Sequence, residues 1–180
     1  MKKNAFIFFI FILTLSLSSF TSEIYSDRES RYILKETRKA ISATFDLEFF
    51  SLEKKNIKLS ESHFLSAHSF YNIIDDEKTK GYAVIATAPS KTDNFQYLLL
   101  LDIKFTIKKV KVLIYREDYG GEISSKRWLS QFSKNEKKFP FIYRDNISAI
   151  SGATISVKSI TTSINDVMNS LRTLESQKEI

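Results

Sequence analysis

The sequence contains no cysteine among its 180 residues. That excludes disulfides, thiolate catalysis, zinc ribbons and cysteine-ligated iron–sulfur clusters. Histidine is nearly as scarce, with only His63 and His68. They stand about 140° apart around a helix, so one helical face cannot present both as an HExxH-type metal site does. Glycine occurs four times and proline twice, so each is expected to mark a specific turn. No Walker lysine follows a glycine and no GxGxxG is present, which argues against a nucleotide-hydrolysing loop. What remains is ordinary globular composition, 43% hydrophobic and 27% charged, in a length that supports one domain with at most a small appendage. A disordered or fibrous chain is excluded.

The first segment reads as an address. Lys2 and Lys3 precede an apolar run from Ala5 to Leu17, interrupted only by Thr14 and Ser16. A basic start, a short apolar stretch and small polar residues have the form of a secretory signal, and the run is short of the roughly 20 residues of a permanent span. Cleavage after Ser18 places Ser16 and Ser18 at the small-residue positions. Cleavage after Ser22 fits worse, because Phe20 falls three residues back. The alternative is a retained N-terminal anchor, and both place the body outside the cytoplasm.

Charge adds little. The 27 bases exceed the 21 acids by six, and losing Lys2 and Lys3 with the signal lowers the excess to four. Export argues against nucleic acid as a partner. Bases and acids are also interleaved, as in DRESRYILKETRK, which reads as a solvated surface with a modest bias toward anionic partners.

Ser26 to Glu29 fits a capping box, and Ile33, Leu34, Thr37, Ile41 and Phe45 recur at helical spacing, so a helix is expected over Asp27 to Phe45. Ser60 is a candidate cap for a shorter helix reaching His68. The period then changes. Phe70 to Ile74 and Tyr82 to Ala88 form a hairpin, with Gly81 the expected positive-φ residue. Gln96 to Asp102 and Thr106 to Tyr115 form a second hairpin, with Val110, Val112 and Ile114 on one face and Lys109 and Lys111 on the other. Ser125 to Phe132 is a short helix, and Ser156 is expected to cap a final one with the stripe Ile160, Ile164, Val167, Met168 and Leu171. Strands grouped between helices, without repeated βαβ order, indicate an α+β domain with an antiparallel sheet.

The chemistry concentrates in Ser151-Gly152-Ala153-Thr154-Ile155-Ser156. Glycine and small residues let backbone approach a ligand closely, and hydroxyls and free N–H groups at a helix N-terminus suit an anion, particularly phosphate. A plain turn capped by Ser156 is the competing reading. The residues alone leave both open.

SGATIS at the start of a C-terminal helix resembles the signature of the FMN-binding domain. That domain occurs in the sodium-pumping NADH:quinone reductase, in the related ferredoxin-oxidising complex, and in small exported proteins. KGYAVIA and IYREDYGGEISSKRWLSQF are similar to its upstream stretches, and the likeness runs from about Tyr71 to Leu171. The resemblance implies FMN held through a phosphoester to Thr154, with Ser151, Gly152, Ala153 and Ser156 around it. It implies loading by an FAD:protein FMN transferase and electron exchange with membrane or extracytoplasmic redox proteins, on the periplasmic or outer face of the membrane. One departure stands out: flavinylated members have an acid six residues before the acceptor, where this chain has Ser148, and the nearest acid is Asp145.

The loop from Glu117 to Ile123 is the candidate wall for the flavin ring. Gly120 and Gly121 permit close approach there, and Glu117 or Glu122 can accept from ring N–H groups, though Glu117 also reads as a solvated turn acid. Tyr119 and Trp128 are aromatic enough to stack, but Trp128 also lies on the core stripe with Leu129 and Phe132. The expected organisation is a signal at 1–22 (cleaved near 18–22, or kept as an anchor), an N-terminal helical segment at 23–69, an FMN-binding domain at 70–174 and a polar tail at 175–180. The expected role is an exported electron carrier without catalytic residues of its own. A self-contained flavin reductase and a cofactor-less module of the same fold are the alternatives.

Overall fold

A computed structural model describes residues 27–57 and 68–177. The signal segment, Ser26 of the capping box, the Ser60 helix with His63, and the last three residues lie outside that range. The chain divides into two compact units, Met1–Lys39 and Ala40–Ile180. The described part of the first is helical, residues 27–39, with Arg31 and Asp27 ion-paired one turn apart. The helix continues to residue 45 and stops at Asp46, whose φ of 56° is left-handed. The side chain of Ser42 then donates to Leu47 O at 2.6 Å, satisfying a carbonyl just beyond the end.

The second unit is built on one antiparallel sheet of five strands in sequential order: β1 (Ser51–Lys55), β2 (Ser69–Asp75), β3 (Lys78–Pro89), β4 (Asn94–Asp102) and β5 (Ile107–Ile114). With the flanking helices this is an α+β domain. Two expected hairpins are present, joined into a meander by the pairing of β3 with β4. β1 was not legible in the sequence. Its residues, SLEKK, are mostly exposed and lack an apolar alternation, which suits an edge strand that must resist further pairing.

Gly81 differs from expectation. The β2–β3 turn is made by Asp76 and Glu77, both at positive φ (49° and 60°), while Gly81 sits inside β3 opposite Asp102. Its lack of a side chain serves close packing: a Cβ there would collide with Leu101 O and lie 2.8 Å from Phe45 Cε1.

Leu98 to Leu101 is a four-leucine run buried on both faces of β4. Tyr97, Leu99 and Leu101 join Val84, Ala86 and Val110 in the main core. Against that face pack a short helix, Lys126–Lys134, and a long C-terminal helix, Thr154–Ser176. The short helix is capped by Ser125, whose hydroxyl accepts from Trp128 N, and it buries Trp128, Leu129 and Phe132 as the spacing predicts. The long helix buries Ile160, Ile164, Val167, Met168 and Leu171. Each such side chain contributes about 1.5–3 kcal/mol on burial. Tyr97 Oη and Ser163 Oγ share a buried hydrogen bond of 2.7 Å, and burial pushes the Tyr97 hydroxyl far above its ordinary pKa.

The start of the long helix corrects the expected cap. Thr154 is the first helical residue and Ala153 the N-cap, without a side-chain capping bond, while Ser156 lies inside the first turn and is buried. Ser156 is drawn inward because its Oγ is 3.1 Å from Tyr115 Oη, a partner brought by the end of β5.

Candidate functional site

A cleft of about 340 Å³ opens at the N-terminus of the long helix. Its lining comes from three places: Gly152 to Ser156; Tyr115, Glu117 and Tyr119 after β5; and Lys91 from the β3–β4 turn. Thr154 is exposed, and its hydroxyl has no protein partner among the described residues. The first bond of the helix runs from Val157 N to Ala153 O at 2.9 Å. The N–H groups of Thr154, Ile155 and Ser156 therefore precede the intrahelical ladder, and a helix of 23 residues adds its partial positive charge there.

The turn before the helix depends on two glycines. Gly152 has φ 77°, in the left-handed region that disfavours a side chain, although a Cβ would meet nothing closer than Tyr119 Cβ at 3.6 Å. Gly120, at φ 74°, lies against Ala153, and a Cβ on it would collide with the Ala153 methyl. Gly120 thus sets how closely the post-β5 segment approaches the helix start. Gly121 has nothing within 4 Å of a built Cβ and makes no close approach. Ser151 lies in the same turn, exposed, but does not line the cleft.

Glu117 lines the cleft, but its Oε1 is occupied by the protein itself. It accepts from the Ser90 hydroxyl, from Thr92 N at 2.7 Å and from Asp93 N at 3.4 Å. The Ser90 hydroxyl, then the Thr92 N–H, hold its carboxyl down to about 2, against a smaller opposing desolvation. Glu122 lines a different depression, with Trp128 and Ser148. Trp128 is a core residue: its ring packs edge-on against Phe132 and its Nε1 donates to Ser148 O at 2.9 Å. Tyr119 lines the cleft, as Trp128 does not, and it is 79% exposed.

Sequence reasoning missed Lys91, Tyr115 and Ile155. Tyr115 is held edge-on against Phe95 and by bonds to Ser156 Oγ and Tyr119 O, so it braces the wall. Ile155 is half exposed at the cleft's edge, one position after Thr154. Lys91 carried no signal beyond lying in a loop. The donor set can take an anion at the helix end, where open N–H groups and a hydroxyl stand together in a cleft that Lys91 also lines. Tyr119 and Ile155 offer apolar surface to a flat group beside it. Among the described residues no cluster of acids and histidines could hold a metal.

No curated protein matches the chain. Residues 91–169 match the family model of the FMN-binding domain. Every residue lining the cleft falls inside that match.

Proposed function

We propose, from the premise that residues 91–169 of this chain are an FMN-binding domain with FMN as its cofactor, that the flavin is tethered through a phosphoester to Thr154 and serves as an extracytoplasmic electron carrier. The observation that carries this reading is the exposed, unpartnered Thr154 hydroxyl at the first position of the helix, facing the cleft. The residues fit the group. A phosphate ester there meets the open N–H groups of residues 154–156, and Gly152 leaves the backbone bare beside it.

In attachment by an FAD:protein FMN transferase, Thr154 Oγ replaces AMP on the flavin-side phosphorus and gives up its proton. The bound flavin supplies one- and two-electron transfer. The chain's residues bind and shield it: Gly120 and Ala153 fix the turn, Tyr115 braces the wall, and Tyr119 and Ile155 offer apolar flanks. A tether suits an exported protein, because it keeps a cofactor at an effective concentration of about millimolar where free flavin is dilute.

Intact-mass and absorption measurements on protein from the exported fraction test this reading. Flavin absorbance that survives denaturation, with an FMN mass increment lost in Thr154→Ala, is expected. An increment retained in Thr154→Ala would move the acceptor to another hydroxyl. Flavin released on denaturation would mean noncovalent FMN, and no flavin at all would favour the cofactor-less module.

A further inference from the structure

The segment from Lys137 to Arg144 reads KKFPFIYR, an apolar stretch between bases. Two asparagine side chains fix it against the long helix. Asn165, from that helix, accepts from Phe141 N at 2.9 Å and donates to Phe141 O at 2.8 Å. Asn146 accepts from Ile142 N at 2.7 Å and donates to Lys138 O at 2.9 Å and Pro140 O at 3.0 Å. Ile142 O in turn accepts from the N–H groups of residues 145–147. The Ile142 backbone is thus satisfied on both sides, yet its side chain is 50% exposed and Pro140 is exposed nearby. A turn bonded this fully holds its apolar tip out by construction, not by fraying.

Cations surround the tip. Lys134, Lys137, Lys138 and Arg144 come from the chain on either side of it, and Lys158 and Arg172 from the long helix. Lys158, Asn165 and Arg172 recur every seven residues, so they share one side of that helix. Aromatic rings of the segment hold three of the cations: Arg172 lies 4.0 Å over Phe139, and Arg144 and Lys158 lie 5.3 and 5.4 Å from the centre of Tyr143. All six are exposed, and none is ion-paired among the described residues. The acids of the same stretch are Glu136 and Asp145, which leaves a clear positive excess. An acidic protein would answer the charges but would need an apolar surface matched in shape to cover Ile142 and Pro140. A bilayer answers both without matching, with phosphates at headgroup level and acyl chains just beneath. We propose that this face docks on a bilayer rich in anionic phospholipid, with Ile142 and Pro140 at the headgroup–acyl boundary and the six cations among the phosphates. The proposal does not depend on the FMN reading. Lys158 stands one helical turn after Thr154, so docking also brings the start of the long helix near the membrane.

The absence of cysteine makes a local test possible: Ile142→Cys in the full chain takes a polarity-sensitive fluorophore as its sole thiol adduct, and the N-terminal apolar run is common to every form compared. Vesicles of equal parts phosphatidylglycerol and phosphatidylcholine should shift its emission to the blue, and phosphatidylcholine alone should not. The same label at Ser51→Cys, on β1, should stay unshifted with both. Adding Lys137→Gln, Lys138→Gln and Arg144→Gln should raise the lipid concentration for half the shift by more than about tenfold, since each base near such a surface contributes roughly fivefold. Lys54→Gln, Lys78→Gln and Lys104→Gln, an equal loss of charge elsewhere, should change it by less than about twofold. No shift at position 142 overturns the proposal, as does an equal shift on phosphatidylcholine alone, an equal shift from the Ser51 label, or equal losses in the two triple variants. Heparin binding that the first triple variant abolishes, without any shift on vesicles, would assign the face to a soluble polyanion or acidic protein and overturn the bilayer. If that variant fails to fold, salt decides: high salt should return the labelled Ile142→Cys chain to its lipid-free emission, and a shift indifferent to salt overturns the proposal.

Discussion

Glycines around the cleft differ in what they do, and the difference is set by their neighbours within a few ångströms. Gly120 combines a left-handed φ with contact against Ala153, whereas Gly121 has open space where a side chain would go. Gly120→Ala should destabilise the protein by about 1–3 kcal/mol and lower the flavin-loaded fraction, because either the backbone strains or the helix start is pushed away. Gly121→Ala should change stability by less than about 0.5 kcal/mol. Chemical denaturation of the two variants, with loading read by mass, checks both, and equal behaviour would contradict the geometry. At this scale the turn into the long helix was legible, since Gly152, Ala153 and Thr154 are contiguous and such a turn is a local matter. The fine role of Ser156 was not. Its hydroxyl is claimed by Tyr115, 41 residues earlier, and no local pattern announces that.

The C-terminal helix does two jobs with two sides. Ile164 is fully buried in the main core, while Ile155 is 51% exposed at the cleft's edge. Ile164→Ala should cost about 2–5 kcal/mol, as cavity-forming substitutions do, and Ile155→Ala should cost less than about 0.5 kcal/mol. Thermal or denaturant unfolding distinguishes them, and a large loss from Ile155→Ala would mean that the helix is packed differently. The stripe that buries Ile164 was readable because helical periodicity is a property of neighbouring residues, and the same holds for Trp128, Leu129 and Phe132. β1 escaped because an exposed, charged edge strand has no periodic apolar side. The role of Gly81 escaped because Leu101 and Phe45 come to it from other elements.

On the scale of the whole molecule, the proposed attachment at Thr154 would need a loading enzyme to reach the helix start from outside. Asp145 and Ser148 are both exposed, and neither lines the Thr154 cleft. Ser148 O accepts from Trp128 Nε1 and Ser148 N donates to Gln131 Oε1, each at 2.9 Å, so its position is set by the short helix. Asp145 sits in the turn that Asn146 ties together through Ile142 N at 2.7 Å and Lys138 O at 2.9 Å. If a transferase reads the acid nearest before Thr154 in the sequence, that acid is Asp145. Asp145→Asn should then lower the FMN-modified fraction after co-expression with the transferase and export, while Ser148→Asp should change it little. Full modification in both variants would leave recognition to the SGAT turn and its helix. Among the described residues no helix is long and apolar enough to cross a membrane. The sequence by itself determined the helices at 27–45, 126–134 and 154–176, both hairpins and the antiparallel class, because periodicity and turn chemistry act over a few residues. Only the tertiary structure decided that Lys91, Tyr115 and Glu117 meet Thr154, because strand register and helix packing, summed over the whole core, bring together groups tens of residues apart.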